Sequence, residues 1–476
     1  MPGAGTFRED FGASVVVALV AIPLCVGVAV ASGVQAELGI VTGVVGGLVT
    51  GWFRGSSLQV SGPAAGLTVL VYEALQTHGT AALGVLVLAA GALQLGMGAL
   101  RLGRWFRAIS VAVVHGMLAG IGLVLISGQL YALGDAEAPG QTLAKLGGVH
   151  GLAARADWAA VLLGVGTIAV MVVWRRAPAR LRLLPGALVG VAAAATAAAL
   201  LGLPVEKVRV TGVLEAVSPP AWGEFGVLAS FGAAGTVVAL ALIASAETLF
   251  SAAAVDRMHD GPRTEYDREL IAQGVGNSVC GLLGALPMTA VIVRSAANVE
   301  AGARTRASRV MHGGWLLLFA VAFPEVLELV PLAALAGVLL YAGWKLLPVR
   351  AVAALWRTHR GEAVVLVATA GAIVVTNLFE GVLVGLGLAI AKAAWETSHV
   401  HIEEVWEDGE LCVRVMGNAS FLRLPKLLDA LDALPHGQPV RLDLSGLRHL
   451  DHACLTALEG WEERTRTPLP GREGVT

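Results

Sequence analysis

Two short segments interrupt long apolar stretches of this chain, and they decide which fold it can adopt. The first is LQVSGPAAGLT at residues 58–68, and the second is LPMTAVIVRSAAN at residues 286–298. Each begins with a strand-like run and continues into residues that favour a helix. Pro63 suits the first turn of a helix, where its missing N–H would have no partner. We therefore predict a short strand followed by a half-helix at both places, with the second half-helix beginning at Arg294 and Ser295.

A helix that begins in mid-membrane presents unpaired N–H groups and a positive dipole end to the cavity, which creates an anion site. Arg294 lies in the second segment, and burying its guanidinium costs at least roughly 2.5 kcal/mol. This cost favours a water-lined cavity or a partner over a position at the membrane interface. Ser61 and Ser295 are candidates to cap the half-helices or to contact the anion. The alternative for the first segment is an ordinary loop between two spans.

The composition excludes several classes of protein. Of the 476 residues, 56% are hydrophobic and 14% are charged, whereas a soluble domain carries about 25% charged residues. Disorder is excluded by the same composition, and a net charge of −2 provides no basic surface for nucleic acid. The single cysteines favour neither a disulfide framework nor a metal site. No nucleophile–base pair indicates an enzyme, and no cofactor is expected besides H⁺ or Na⁺ as a coupling ion.

Apolar stretches of roughly 20 residues, the length of a membrane helix, recur as far as residue 396. They lie at residues 11–32, 81–100, 109–130, 158–174, 184–201, 230–254, 310–324 and 363–378, with broken ones at 60–75 and 286–301. We expect about fourteen spans in total. Arginine recurs in every second loop, for example as Arg54, Arg104, Arg176, Arg268 and Arg306. The positive-inside rule therefore places both termini in the cytoplasm, with the protein in the inner (plasma) membrane.

An internal repeat relates the two halves of the chain. FGASVVVALVAI, from residue 11, aligns with FGAAGTVVALALI, from residue 231, with one inserted residue. The copies are an odd number of predicted spans apart, so the second enters the membrane from the opposite side. This predicts an all-α polytopic transport domain at residues 1–396, built as a 7+7 inverted repeat. The first repeat covers about residues 8–202 and the second about residues 228–396.

Glu247 is the clearest isolated charge within a span. Intramembrane ionisable residues mark proton relays and ion sites. Ser251 follows one helical turn later on the same face. Together they are candidates to carry a proton or to supply oxygen ligands to Na⁺. The alternative is a structural hydrogen bond from Glu247 to another span.

The composition changes after residue 396, and charged residues become frequent. Alternating residues at 411–415 and 440–444 predict strands, and the spacing at 424–434 predicts a helix. We expect a small cytoplasmic α/β domain at residues 397–476.

Several motifs resemble the sulfate permease (SulP) family of anion transporters. They are VSGP at 60–63, AVDR at 254–257, RELIAQG at 268–274 and RSAANVEAGA at 294–303. VRLDLSGL at 440–447 and LDH at 450–452 resemble the STAS domain of that family. The resemblance implies a core domain that moves against a gate domain in an elevator-like, alternating-access cycle, and it implies a homodimer.

The resemblance also implies site residues. It places the anion between the third and tenth spans, at Leu24, Val28, Ala64, Ala65, Val293, Arg294 and Ser295. Glu247 and Ser251 match positions at which sodium-coupled bicarbonate members place an acid and a hydroxyl. Ala64 stands where some relatives carry a hydroxyl or an aromatic ring, which slightly favours a bulkier anion.

The STAS-like region departs from the family pattern. His452 and Ala453 follow Asp451, where signalling relatives place a phosphorylatable Ser or Thr. The region also ends soon after its last predicted helix. We therefore expect a truncated STAS domain without phosphorylation at that point.

These observations favour a secondary active transporter with proton-coupled symport of a small anion, either a dicarboxylate such as fumarate, or sulfate or bicarbonate. The alternatives are a sodium-coupled bicarbonate symporter, an anion exchanger and a passive anion channel. A nucleobase transporter is disfavoured, because its site would offer carboxylates from both the eighth and tenth spans, and the tenth offers Arg294 here. The expected partners are the anion, the lipid bilayer and a second copy of the chain.

Overall fold

The computed structural model describes residues 4–104, 110–139, 141–178, 184–210, 212–407, 410–434 and 440–466. Contacts divide the chain into two compact units, Met1–Gly385 and Leu386–Thr476. The division falls inside a long helix that ends at Thr397.

The first unit is mainly helical. Its helices are α1 (Ala4–Ala31), α2 (Ala36–Leu48), α3 (Thr68–His78), α4 (Ala82–Ala99), α5 (Val111–Ala132), α6 (Thr142–Leu152), α7 (Trp158–Trp174), α8 (Gly186–Leu200), α9 (Val213–Ala216), α10 (Phe231–Val255), α11 (Tyr266–Leu282), α12 (Ile292–Glu300), α13 (Ala307–Ala322), α14 (Glu325–Glu328), α15 (Leu332–Leu346), α16 (Val349–Thr358), α17 (Arg360–Val375) and α18 (Leu378–Thr397). Two three-residue strands, β1 (Ser61–Pro63) and β2 (Met288–Ala290), complete it.

The helices account for the predicted membrane spans. In the described part of the chain, six helical segments are long and apolar enough to cross a membrane: Thr6–Ala31, Ala82–Ala99, Val111–Ala132, Phe231–Val255, Leu332–Thr358 and Leu378–Thr397. Shorter apolar helices lie at Ala36–Trp52, Trp158–Trp174, Gly186–Leu200 and Ala307–Ala322. With α11, α17 and the two strand–helix segments that contain α3 and α12, these match the expected about fourteen segments.

Helix contacts repeat between the two halves with their partners exchanged. Helix α4 packs against α11 and α2 packs against α13, while α5 packs against α17 and α15 against α7. In the two repeats, α2 corresponds to α11, α4 to α13, α5 to α15 and α7 to α17. The α4–α11 contact is therefore the equivalent of α13–α2, and α5–α17 is the equivalent of α15–α7. This exchange is what an inverted repeat requires, and it agrees with the prediction.

Close packing of α4 on α11 depends on small residues. A Cβ at Gly91 would lie 2.5 Å from the backbone nitrogen of Ser278, and one at Gly274 would lie 2.6 Å from that of Leu95. Neither distance is compatible with a larger side chain. Glycine lets the two backbones approach, which is how helices associate when their surroundings are as apolar as their side chains.

The second unit is a small α/β fold. It contains β3 (Val400–Glu407), β4 (Glu410–Ala419), α19 (Leu424–Asp432), β5 (Val440–Asp443), β6 (Leu447–Leu450) and α20 (His452–Arg466). Strand β4 pairs antiparallel with β3 and parallel with β5 and β6. The strand predicted at 411–415 lies within β4, while the strand predicted at 440–444 and the helix predicted at 424–434 overlap β5 and α19 and extend one or two residues beyond them. At the start of α20, the backbone N–H of Cys454 donates to Oδ1 of Asp451 at 2.9 Å, and this bond holds the pKa of Asp451 below its usual range.

Candidate functional site

The two broken segments meet as one short antiparallel ladder. Ser61 pairs with Ala290, Gly62 with Thr289 and Pro63 with Met288. Strand β1 leads through a 3-10 turn at Ala65–Leu67 into α3, and β2 leads into α12. Because a three-residue ladder spans only about 7 Å, both half-helices begin close together.

The predicted starts of the half-helices differ in detail from those observed. Pro63 lies in β1, so the helical turn begins after it at Ala65. Helix α12 begins at Ile292, which is earlier than the expected start at Arg294 and Ser295.

Side chains of α12 satisfy the backbone around β1. The N–H of Val60 donates to Oγ of Ser295 at 2.9 Å, and Nδ2 of Asn298 donates to the carbonyl of Leu58 at 2.9 Å. Non-helical backbone is tolerated at membrane depth only where protein groups or water satisfy it. Asn298 was not identified from the sequence, although an amide side chain inside a broken span is a usable signal.

Side chains of α10 and α11 do the same for β2. Oδ1 of Asn277 accepts from the N–H of Met288 at 2.7 Å, and Nδ2 donates to the carbonyl of the same residue at 3.1 Å. Oγ1 of Thr248 accepts from the N–H of Ala290 at 3.2 Å. Neither residue was predicted from the sequence. Thr248 lies in the stretch predicted as a span at residues 230–254, whereas Asn277 lies outside the predicted stretches.

Arg294 is fully buried beside β1. Its Nη2 donates to the carbonyl of Pro63 at 3.2 Å, while Nε and Nη1 have no hydrogen-bond partner among the described residues. The guanidinium lies directly against the Cα of Gly62, where any Cβ would collide with it. The cation is therefore inside the protein, as expected, and it retains unused donors.

Ser61 and Ser295 both have structural partners. Oγ of Ser61 accepts from Nε2 of Gln273 at 2.6 Å. The hydroxyl of Ser295 donates to the carbonyl of Val291 at 2.8 Å, and its backbone N–H donates to the same carbonyl at 3.0 Å. Neither serine caps its half-helix. Ser295 holds the backbone of β1 in this structure, and its direct contact with an anion stays a prediction.

The remaining candidate residues for anion binding differ in how exposed their side chains are. Val28 and Ala64 are buried, Leu24 and Ala65 are half-buried, and Val293 is 50% exposed. Helix α1, which carries Leu24 and Val28, packs against α12 and contacts α3. The candidate positions that are partly exposed, Leu24, Ala65 and Val293, are thus aliphatic.

The side chain of Glu247, which belongs to α10, lies against the start of the first half-helix. A Cβ on Gly66 would be 2.8 Å from each of its carboxylate oxygens. The side chain of Thr289 lies next to the carboxylate, and Oε2 is buried without a hydrogen-bond partner among the described residues. Ser251, one turn further along α10, is buried. The structure thus brings the predicted coupling residue against the predicted half-helix.

A second buried arginine, missed by the sequence analysis, lies behind β1. Nη2 of Arg309 donates to the carbonyl of Thr50 at 3.3 Å, and Nη1 donates to that of Ser56. Oε2 of Glu269 accepts from the N–H of Ser56 at 2.8 Å. Gln273 connects this network to β1, because its Nε2 contacts Oε1 of Glu269 at 2.9 Å as well as Ser61.

A family model described as the sulfate permease family matches residues 7–369. The chain belongs to this family. The resemblance inferred from the sequence motifs is therefore confirmed for the transport domain.

Sulfate permease relatives include transporters named for two different anions. The chain is 27% identical over 412 residues to the putative sulfate transporter YvdB of Bacillus subtilis, covering 84% of this chain and 76% of that one. It is 26% identical over 356 residues to the bicarbonate transporter BicA of Picosynechococcus, covering 71% of this chain and 61% of that relative.

Solved structures share the fold. The transmembrane domain of a cyanobacterial BicA superimposes with a TM-score of 0.70 at 21% identity, covering 82% of this chain and 98% of that one. The murine Solute Carrier 26 family member A9 anion transporter, in an inward-facing state, gives a TM-score of 0.80 at 14% identity, covering 98% of this chain and 85% of that one. The predicted all-α polytopic fold is thus confirmed.

Proposed function

We propose that this sulfate permease family member is a secondary active transporter that carries a small anion by alternating access, coupled to a proton at Glu247. The observation that carries the proposal is the contact between the Glu247 carboxylate and Gly66, at the start of a half-helix. A helix N-terminus attracts a carboxylate, and a bound anion would compete for the same attraction. Neutralising Glu247 therefore strengthens anion binding, and the bound anion strengthens proton binding by the same factor.

Arg294 supports the same site from the second half-helix. It is buried and has two nitrogens without partners among the described residues. Charged donors form hydrogen bonds about twice as strong as neutral ones. We expect an anion in contact with both half-helix starts to lie within the field of this guanidinium.

We favour a small dicarboxylate such as fumarate as the substrate, with sulfate and bicarbonate as the other candidates. Leu24, Ala65 and Val293, the candidate positions that are partly exposed, are all aliphatic. An anion with a carbon skeleton uses such a surface better than sulfate does. Sulfate and bicarbonate are included in the test because relatives are named as transporters of these anions.

A sodium-coupled bicarbonate symporter is the second candidate. The observation that favours it is the presence of two hydroxyl-bearing side chains near Glu247, namely Thr289 beside the carboxylate and Ser251 one turn away. Carboxylate and hydroxyl oxygens are suitable ligands for a hard cation.

We also infer the cellular context. The arginine pattern supports a plasma-membrane protein with both termini in the cytoplasm. The sequence motifs and the α/β fold of the described residues between Val400 and Arg466 support a STAS domain. We propose a homodimer with no organic cofactor and no enzymatic activity.

Uptake into proteoliposomes tests the proposal. Labelled fumarate, sulfate and bicarbonate are each offered with an inward proton gradient, an inward sodium gradient or neither. We expect one of the anions to accumulate only with the proton gradient. Accumulation only with sodium supports the second candidate, and the absence of gradient-driven uptake would contradict both.

Replacing Glu247→Gln isolates the coupling role. The variant should lose proton-driven accumulation but still exchange internal for external substrate, because the neutral amide leaves the helix end available to the anion. Glu73→Gln is the matched control, since Glu73 lies further along the same half-helix, and we expect it to retain accumulation. Proton-driven accumulation by Glu247→Gln would remove Glu247 from the coupling mechanism.

A further inference from the structure

A basic pocket lies where α4 ends and α11 begins, away from the two half-helices. Its volume is about 550 Å³, and its lining includes Arg101, Arg104 and Arg268. A smaller pocket of about 320 Å³ shares Arg268 and is also lined by Trp52 and Arg54. The two pockets form one surface, which we call the arginine pocket and define by Trp52, Arg54, Arg101, Arg104 and Arg268.

The arginine pocket has more positive than negative charge available. The side chains of Arg54, Arg101 and Arg104 make no hydrogen bond or ion pair in the part of the chain that the structure describes. The two acidic groups of the lining are already engaged, because Glu265 pairs with Arg268 at 2.7 Å and Asp267 accepts from the N–H of Gly103 at 2.9 Å.

Arg101 holds its place in the pocket through an unusual backbone conformation. Its φ is 57°, which is the left-handed region. This conformation ends many helices, usually at a glycine, and a residue with a Cβ adopts it less often. The chain turns at Arg101 directly after α4, and its side chain lines the pocket.

Large apolar side chains flank these arginines. Trp52 is 70% exposed and Leu100 is 72% exposed. On a membrane protein, such side chains face the acyl chains, and tryptophan is enriched at the level of the headgroups. The surface therefore presents an apolar contact beside a cluster of cations.

We propose that the arginine pocket binds the phosphate of an anionic phospholipid, with Trp52 and Leu100 against its acyl chains. A free phosphate ion would use the arginines but would leave the two apolar side chains without a role. The arginine pattern places the pocket at the cytoplasmic leaflet, which is rich in anionic lipids. Nothing in the proposal depends on which anion is transported or on its coupling.

Quenching of Trp52 by brominated lipids tests this assignment. The protein is reconstituted in phosphatidylcholine vesicles that contain a small, equal fraction of brominated phosphatidylglycerol or brominated phosphatidylcholine. The chain has 11 tryptophans, so the signal of Trp52 is obtained as the difference between wild type and Trp52→Phe. We expect the phosphatidylglycerol to quench this signal more strongly than the phosphatidylcholine.

The double variant Arg101→Gln/Arg104→Gln should lose the preference for phosphatidylglycerol, by about fivefold for each arginine. The matched control is Arg175→Gln/Arg176→Gln, which removes the same charge from two exposed residues after α7 and should keep the preference. Equal quenching by both lipids in wild type would overturn the proposal, as would an equal loss in the control. If millimolar inorganic phosphate abolishes the preference, the pocket is a site for a soluble anion and the lipid assignment is wrong.

Discussion

Two buried arginines lie beside β1, and they differ in how well their donors are satisfied. Arg309 donates to two carbonyls and has Glu269 as a nearby opposite charge, with only Nε unpaired among the described residues. Arg294 donates to one carbonyl and leaves two nitrogens unpaired. Because an unmade hydrogen bond is costly in the interior, we assign Arg309 to the structure and Arg294 to ligand binding.

Replacing each arginine by glutamine should separate these roles. Arg294→Gln should weaken anion binding by roughly 10- to 100-fold, the equivalent of one hydrogen bond to a charged group, with a small change in melting temperature. Arg309→Gln should leave affinity unchanged but destabilise the fold by about 1–3 kcal/mol for each buried carbonyl, of Thr50 and Ser56, that then lacks its donor.

Ligand titration and thermal unfolding of the two purified variants in detergent measure the two quantities. Unchanged affinity in Arg294→Gln would remove this residue from the site. A loss of affinity in Arg309→Gln at a temperature where it is folded would contradict its structural assignment.

At the level of elements, β1 and β2 are too short to be stable alone. Each is held by side chains of neighbouring helices, and Asn277 satisfies both the N–H and the carbonyl of Met288. The ladder in turn fixes where α3 and α12 begin. The positions of the half-helix dipoles therefore depend on a few amide and hydroxyl groups outside the two segments.

Asn277→Ala should lower both stability and transport. It leaves two buried backbone groups of Met288 without partners, at about 1–3 kcal/mol each. Ser278→Ala is the matched control, because the Ser278 hydroxyl makes no hydrogen bond among the described residues. Melting temperature and initial uptake rate measure the two effects, and equal behaviour of the two variants would refute the role of Asn277.

The strand–half-helix segments were predictable because Gly62 and Pro63 break a local pattern. Glu247 was predictable because a lone charge is conspicuous in an apolar span. Its contact with Gly66 was not predictable, since it depends on how α10 packs against a segment far away in sequence. The same applies to Ser295, whose hydroxyl bonds Val60 across 235 residues. Local signals indicate which residues are unusual, whereas long-range packing determines what they contact.

At the scale of the whole molecule, α10 crosses the membrane once, so the linker between the two halves lies on one side of the membrane and the α10–α11 loop on the other. Arginine is abundant in the α10–α11 loop, which contains Arg257 and Arg263. The positive-inside rule then makes the linker external. Trp222 in the linker is 92% exposed, and Asp260 in the loop is also exposed.

Labelling of single introduced cysteines in intact cells tests this orientation. A membrane-impermeant maleimide should label Trp222→Cys directly, and it should label Asp260→Cys only after permeabilisation. Background labelling should be low, because the four native cysteines, Cys25, Cys280, Cys412 and Cys454, are all buried. The reverse pattern would place both termini outside the cell. It would also move the arginine pocket to the external leaflet, where anionic lipids are scarce, so this measurement decides whether a lipid ligand for that pocket is physically reasonable.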